Sequence, residues 1–506
     1  MVIVGILGVS SLRDGFSGDQ ALFLIYSKAI DNGAILYKDV WDIKQPAIFV
    51  FYLIGGKLFG FNEVGIHLLE IIYWLGFSLM MIFGLRRYFT NPLFAALTPL
   101  FTIGIYYSVS GSLHLTQAES LVGFPLFMSL WFCQKFLENP DKKSFLFLSG
   151  LFGGIVLTFK LLFILILAVF WLVFLLYFRK EPKKMLVFSG LILSGLILPI
   201  ASVIVYFALN NALYELWYVT FIYPSNVVMM ETRMANRSGQ LKDGLVWFFK
   251  SYFPVISLTF FFLLLNLRNI FKVRQNKIEF ILTGKNFIFS GLLIWAIFGF
   301  AVILMQRLSW WEYHYSLLMI PLGILAVKCV GNIFEIIRTN PKFGRKTLFY
   351  ILSAVLIMPL FIPTARRLAD RIRQFNKIES VKIGTRELRI TGAAAEDYKS
   401  ISADTEFLRT ENPKARIFVF SNPLYYYLSD TPPFFSSNGA MSDMFTDAEW
   451  EKLNREMSEK LPDYIFVEPR FIPMIAKEDP TFINILDNNY SVYITGDRGS
   501  FYKLNE

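Results

Sequence analysis

SLRDGFSGDQALFLIYSKAIDNGAILYKDVWDIKQPAIF, residues Ser11–Phe49, carries five aspartates and three lysines, with Trp41 and Pro46 among them. Its surroundings are apolar. Of the 506 residues 55% are hydrophobic and 17% aromatic, and the mean hydropathy is +0.49. A water-soluble domain has no use for that much apolar surface. Apolar blocks of roughly 18–25 residues recur, the length that crosses about 30 Å of hydrocarbon. The pattern predicts a mainly α, polytopic helical membrane bundle with spans at 64–85, 92–110, 119–137, 144–160, 161–178, 185–209, 247–267, 286–305, 315–337 and 347–363. Residues 1–12 are apolar but reach only about 18 Å as a helix, so they are read as a partial first span, clipped or continued upstream. They lack the basic start and small-residue cleavage site of a signal peptide. That makes about 11 spans, with the charged stretch between the first and second.

Charge sets the orientation. Eighteen lysines and arginines fall in five short loops on one side: Arg86 and Arg87; Lys135, Lys142 and Lys143; Arg179, Lys180, Lys183 and Lys184; Arg268, Lys272, Arg274, Lys277 and Lys285; Arg338, Lys342, Arg345 and Lys346. The positive-inside rule makes that side cytoplasmic. The net charge of +10 is therefore a topology signal and not a nucleic-acid footprint. The outer side receives residues 13–63, 106–118, 210–246, 306–314 and everything after 364. His67, His114 and His314 all fall at or near it, without the i, i+4 spacing of a helical metal site. Cys133 and Cys329 lie in spans toward the inside, which speaks against a disulfide framework.

From 364 onward the chain changes character. ARIFVFSN (Ala415–Asn422), PDYIFVEP (Pro462–Pro469), YSVYITG (Tyr490–Gly496) and SFYKLN (Ser500–Asn505) read as strands. Thr446 with Glu449 is a capping box opening a helix, and Gly392–Thr410 is a second helical stretch. A soluble α/β domain over 364–506 follows, separate from a membrane domain over 1–363. It has no phosphate-binding glycine loop and no nucleophile constellation, and it reads as a scaffold or acceptor-binding lid.

An outer face without access to nucleotide sugars limits the chemistry. A transferase there draws on a donor carried in the membrane, such as a sugar on a polyprenyl phosphate. It needs a carboxylate to take the acceptor proton, a cation for the leaving phosphate and a greasy groove for the isoprenoid. Asp19 supplies the first and Lys44 the second. Ala21–Ile30 has the pattern of a short amphipathic helix on the interface. Gln45–Gly60 is apolar but short and is read as a dipping segment that starts at Pro46.

The stretch GDQALFLIYSKAIDNGAILYKDVWDIKQPAIFVFYLIGGKLFG resembles the first outer loop of GT-C fold glycosyltransferases, closest to the protein O-mannosyltransferases and the lipid A aminoarabinose transferase. Asp19 stands for the acid after the first span, with Gln20 where Glu is usual. Gly33 to Asp39 matches a Gly-x-x-x-Tyr-x-Asp stretch, Lys44-Gln45-Pro46 a K-P-P motif with one substitution, and Leu58-Phe59-Gly60 the close. The resemblance is specific over about 50 residues and general in layout beyond them. It implies that Asp19 is the base or acceptor-orienting carboxylate, that Lys44 contacts the lipid phosphate, and that Glu119, in HLTQAESL, is a second acid. Gln20 weakens any adjacent pair of acids and any metal bound there; a divalent cation stays open as a cofactor.

Other outer residues have weaker claims. Arg307 is a second candidate for the phosphate, and Tyr313 and His314 for the donor pocket. Tyr37 and Trp41 are candidates for a donor or acceptor pocket, with the interfacial aromatic belt as the plainer reading. Asp39 and Asp42 read as structural, pairing with neighbours such as Lys38 or Lys44, and Lys160 as a snorkelling lysine, with phosphate binding as its alternative. Asn236-Arg237-Ser238 matches a glycosylation acceptor, a pattern of little weight. The function expected is transfer of a sugar from a polyprenyl phosphate to a lipid, glycan or protein hydroxyl outside the cytoplasmic membrane. The competing classes are a transporter or flippase of lipid-linked sugars, which places ionisable groups at mid-membrane, and a glycan polymerase or ligase.

Overall fold

A computed structural model of the chain describes residues 1–111, 114–229, 237–272, 286–306, 310–339, 378–383, 386–391 and 394–505, together with 365–366, 369–370 and 373. The expected span at 347–363, Arg307, Asn236 and several loop lysines and arginines lie outside the described residues. The first four helices are α1 (Val2–Ser10), α2 (Asp19–Asp31), α3 (Pro46–Phe59) and α4 (Glu63–Leu85). Among the described residues six helices are long and apolar enough to cross a membrane: Glu63–Leu85, Ala118–Glu138, Pro182–Leu209, Gly239–Leu264, Phe287–Met305 and Glu312–Ile336. Four shorter apolar helices cover Pro46–Phe59, Leu93–Val109, Ser144–Phe159 and Leu161–Leu176. The bundle architecture with a small C-terminal sheet is as the sequence leads one to expect.

The chain groups into two compact units, and the grouping is not the expected cut at 363. One unit holds Met1–Ser11, Glu70–Val205 and Asn236–Arg373. The other holds Leu12–Leu69, Tyr206–Ala235 and Gln374–Glu506. The charged first loop is thus part of the unit that contains the C-terminal residues.

In the first unit, long helices pack through small residues. A Cβ on Gly150 would lie 1.9 Å from the Ile192 carbonyl oxygen, and one on Gly195 2.0 Å from that of Phe147. The two helices therefore touch backbone to backbone, as small-residue membrane interfaces do. Only 17% of the most apolar window of helix Pro182–Leu209 is buried. Leu186, Leu193, Ile197, Leu198 and Ile204 stand exposed along it, a surface suited to hydrocarbon and not to water.

In the second unit the four expected strands form one sheet. A hairpin, β1 (Ile378–Ile383) with β2 (Arg386–Thr391), precedes it. The sheet strands are β3 (Ile417–Phe420), β4 (Tyr464–Val467), β5 (Tyr490–Thr495) and β6 (Ser500–Leu504), in the order β3-β4-β6-β5. β3 and β4 pair in parallel, Ile417 opposite Tyr464, and every residue of both is buried. A parallel pair needs a long crossover, which the helix Asp447–Glu459 helps to supply; its capping box is present, with Glu449 accepting the Thr446 N–H at 3.0 Å.

The first loop is fastened to these C-terminal elements by buried polar groups. The Tyr398 hydroxyl accepts the Phe16 N–H at 2.7 Å and donates to Glu63 Oε1 at 2.7 Å, while Tyr427 donates to Glu63 Oε2 at 2.9 Å. Thr391 donates its N–H to the Arg13 carbonyl and its hydroxyl to Asp14, both at 2.8 Å. Trp41 donates its N–H to the Ser436 carbonyl at 3.1 Å. A Cβ on Gly15 would stand 2.8 Å from that of Ala394, so no larger residue fits there. Tyr398→Phe removes two bonds of this set and leaves Glu63 and the Phe16 amide under-satisfied in a buried place. The expected loss is about 2 kcal/mol of stability, read by denaturant titration in detergent.

Candidate functional site

The loop that carries Asp19 and Lys44 is built from tight turns. Gly18, at φ +51°, precedes α2 and puts Asp19 at its first residue, where the helix dipole favours an acid. Gln20, in the position where Glu is usual, is fully buried, and its Oε1 accepts the Ser17 N–H at 3.3 Å, so it serves to close the helix start. After α2 the chain reverses at Gly33, φ +100°, and Tyr37 adopts φ +70°. That strained turn is clasped from both sides: Tyr37 N–H reaches the Val40 carbonyl at 2.7 Å, and Asp39 Oδ2 accepts the Ile35 N–H at 2.7 Å. Asp42 Oδ1 then accepts the Lys44 N–H at 2.8 Å, an Asx turn that stops the chain just before Pro46 opens α3.

The outcome is an ion pair at the end of the loop, Lys44 Nζ to Asp19 Oδ2 at 3.2 Å. The lysine side chain is 19% exposed and the aspartate 39%, so both are shielded yet reachable. The Tyr37 hydroxyl donates to the Lys44 carbonyl at 2.6 Å. Lys44 is therefore held at its N–H by Asp42, at its carbonyl by Tyr37 and at its ammonium by Asp19. Asp42 is 1% exposed. Burial pushes its carboxyl up to about 7, against the pull of Lys44 and with a smaller push from Asp19.

Two expectations for this loop are corrected. Tyr37 and Trp41 are not interfacial belt residues: Tyr37 is buried with its ring stacked on Phe207, and Trp41 is buried edge-on against Tyr223 and Phe445. Helix α2 is not an amphipathic surface helix, since Gln20 to Ser27 are buried without a break. Its polar residues face bonding partners, as when Ser27 Oγ donates to the Phe49 carbonyl in α3 at 2.9 Å. The apolar stretch that follows is short, as expected: the 14 residues of α3 form one helix about 21 Å long at 1.5 Å per residue, short of a full crossing.

The other unit holds a separate polar cluster. Glu119, at the start of helix Ala118–Glu138, is almost fully buried. Lys160 Nζ meets its Oε1 at 2.8 Å and also Gln306 Oε1 at 2.7 Å. His314 Nε2 lies 3.7 Å from the same Glu119 oxygen, and Tyr313 stands edge-on to the His314 ring at 4.5 Å. His114 pairs with Glu312 at 3.1 Å and packs on Trp247. Glu119, Tyr313 and His314 are thus brought together, while Arg307 lies outside the described residues. Gln306 Nε2, Trp310 Nε1 and His114 Nδ1 are buried with no hydrogen-bond partner among the described residues.

Lys160 of this cluster was misread, and a buried acid elsewhere in the same unit, Glu70, was missed. Lys160 does not snorkel but neutralises a buried acid. Glu70, in the middle of α4, was passed over inside an apolar run. It is fully buried and accepts from Trp74 Nε1 at 3.3 Å and from both the N–H and the hydroxyl of Thr116 at 3.1 Å, holding Thr116 at φ +54° three residues before Glu119. An acid within a span was the signal that could have found it. Lys160→Met would strand Glu119 in a buried site and is expected to cost about 3 kcal/mol of stability. The double variant Lys160→Met/Glu119→Gln should recover most of it, and unfolding curves of the three proteins read the coupling.

No family model and no curated protein sequence matches the chain. Its fold is nevertheless defined: it is the GT-C fold of membrane glycosyltransferases. Among solved structures it is similar to ArnT from Cupriavidus metallidurans bound to undecaprenyl phosphate, at 14% identity and a TM-score of 0.59, covering 99% of this chain and 96% of that one. The apo form of the same protein gives 12% identity and a TM-score of 0.56, with 98% and 95% covered. AglB, the archaeal oligosaccharyltransferase from Archaeoglobus fulgidus in complex with an inhibitory peptide and a dolichol-phosphate, gives 12% identity and a TM-score of 0.51 over 100% of this chain and 74% of that one.

Proposed function

We propose that the chain is a membrane glycosyltransferase that moves a sugar from a polyprenyl-phosphate donor to an acceptor hydroxyl at the outer face of the cytoplasmic membrane. The observation that carries this reading is the shielded Asp19–Lys44 pair at 3.2 Å, a carboxylate and an ammonium held side by side. The fold supports it, since both similar proteins were solved with a polyprenyl phosphate bound. In this reading the donor's phosphate draws the Lys44 ammonium away from Asp19 and leaves that carboxylate free to act as base. The acceptor oxygen attacks the anomeric carbon and gives its proton to Asp19. The bond from that carbon to the phosphate oxygen breaks, and polyprenyl phosphate leaves with its charge met by Lys44. Attack opposite the leaving group inverts the anomeric centre.

Glu119 is our candidate for a second acid that orients substrate hydroxyls, with His314 beside it. The buried Gln306 Nε2, Trp310 Nε1 and His114 Nδ1, without a hydrogen-bond partner among the described residues, are suited to hydrogen-bond a sugar. The acceptor is a lipid, a glycan or a protein hydroxyl. Purified protein in nanodiscs, offered polyprenyl-phosphate hexoses and pentoses with a mixed acceptor extract, should release free polyprenyl phosphate from at least one donor. No release from any donor, from protein shown to be folded, overturns the reading.

A further inference from the structure

Asp42 is a carboxylate of this loop buried beside Lys44. Its Oδ1 bonds the Lys44 N–H at 2.8 Å and its residue is 1% exposed. The charges that act on it are Lys44, which stabilises its ionised form, and Asp19, which opposes it. The tyrosines that feel its charge are Tyr26 of α2, Tyr37 of its own loop and Tyr223, all pushed above the ordinary tyrosine range chiefly by burial. Lys44 therefore stands between two acids, a half-buried one at its ammonium and a buried one at its backbone.

We propose that Asp42 is a positioning residue that gates the affinity of Lys44 for a phosphodiester: ionised, it offsets the lysine's charge; protonated, it leaves that charge to the ligand while still accepting the Lys44 N–H. The inference rests on the reading of Lys44 as a phosphate ligand. It gives the site a direction of response to acidity outside the cell. Because a buried acid gains its proton near pH 7 here, the change falls within the range that an outer surface meets. The proton comes from and returns to bulk water, and no bond other than O–H is made or broken.

The test is binding of polyprenyl methyl phosphate, a diester that keeps a single charge throughout, to protein in nanodiscs between pH 5.5 and 8.5. A phosphate monoester is unsuitable, since its own second ionisation near pH 6 would overlap the effect. Wild type should bind about five- to tenfold more tightly at pH 6 than at pH 8, the size expected for one nearby charge partly screened. Asp42→Asn, which keeps the acceptor oxygen and removes the charge, should bind at pH 8 as tightly as wild type does at pH 6, with a flat profile. Asp42→Ala, which loses the hold on the Lys44 amide, should bind weakly at every pH. A purely structural Asp42 would make the Asn variant weaker or unchanged, not tighter. Equal pH profiles for wild type and Asp42→Asn overturn the inference and leave the function standing. No binding by wild type at any pH overturns the reading of Lys44 itself, and this inference with it.

Discussion

Asp19→Asn should lower turnover about a thousandfold while leaving donor binding within a few-fold of wild type. Asparagine keeps the size and the hydrogen-bond capacity next to Lys44 but cannot take a proton. General-base catalysis by a positioned carboxylate is worth roughly 10²–10⁴ in rate, and a thousandfold loss is about 4 kcal/mol of barrier. Binding should hold because the lysine at 3.2 Å is freed from its partner, which offsets any disturbance of the pocket. Radiolabelled donor consumption and equilibrium donor binding read the two quantities separately. A variant that turns over at the wild-type rate removes Asp19 as the base. One that loses binding as well makes it an orienting group.

Asp42→Asn should remove a pH dependence of stability that wild type carries, with no ligand present. The ordinary aspartate value is 3.8 and the folded protein raises Asp42 to about 7. Below 3.8 both folded and unfolded chains are protonated at this group, and it contributes nothing to the slope. Between those values the folded chain holds a proton that the unfolded chain has lost. Stability therefore falls as pH rises through this window, and above about 7 the penalty is constant. At 1.36 kcal/mol per unit, the shift of about three units sets the full change at roughly 4 kcal/mol. Measured as wild type against Asp42→Asn, the variant should gain on wild type steadily from pH 4 to pH 7 and no further above it. A constant difference across the range would mean that residue 42 does not change its charge on folding.

The fold was largely legible because it depends on local pattern. Long apolar runs gave the helices, short runs rich in β-branched and aromatic residues gave β3 to β6, and Thr446 with Glu449 gave a helix start. The Asp19–Lys44 pair was approachable because motif residues lie 25 apart in one loop. What was missed depends on distance along the chain. Lys160 and Glu119 are 41 residues apart, and nothing near either says that a lysine in an apolar setting will turn inward instead of toward the interface. Glu70 disappeared in the hydropathy of its helix. The hairpin β1–β2, with RELRIT as its second strand, carries Gly384-Thr385 between its strands, a two-residue turn signal that was overlooked. Tyr37 and Trp41 were misplaced because the sequence shows an aromatic side chain but not what covers it. Asp42 was read as a structural acid, and it does bond its neighbour Lys44; its depth of burial was not legible, since burial of a loop is set by the elements folded over it and not by its own composition.

Residues 12–69 leave the ribosome early, whereas Thr391, Tyr398, Tyr427 and Ser436, which bond to them, are made several hundred residues later. Until those residues have been made the nascent chain carries Glu63 and Asp14 without these bonds, and the segment bearing Asp19 and Lys44 gains its final frame only after Ser436 has been added.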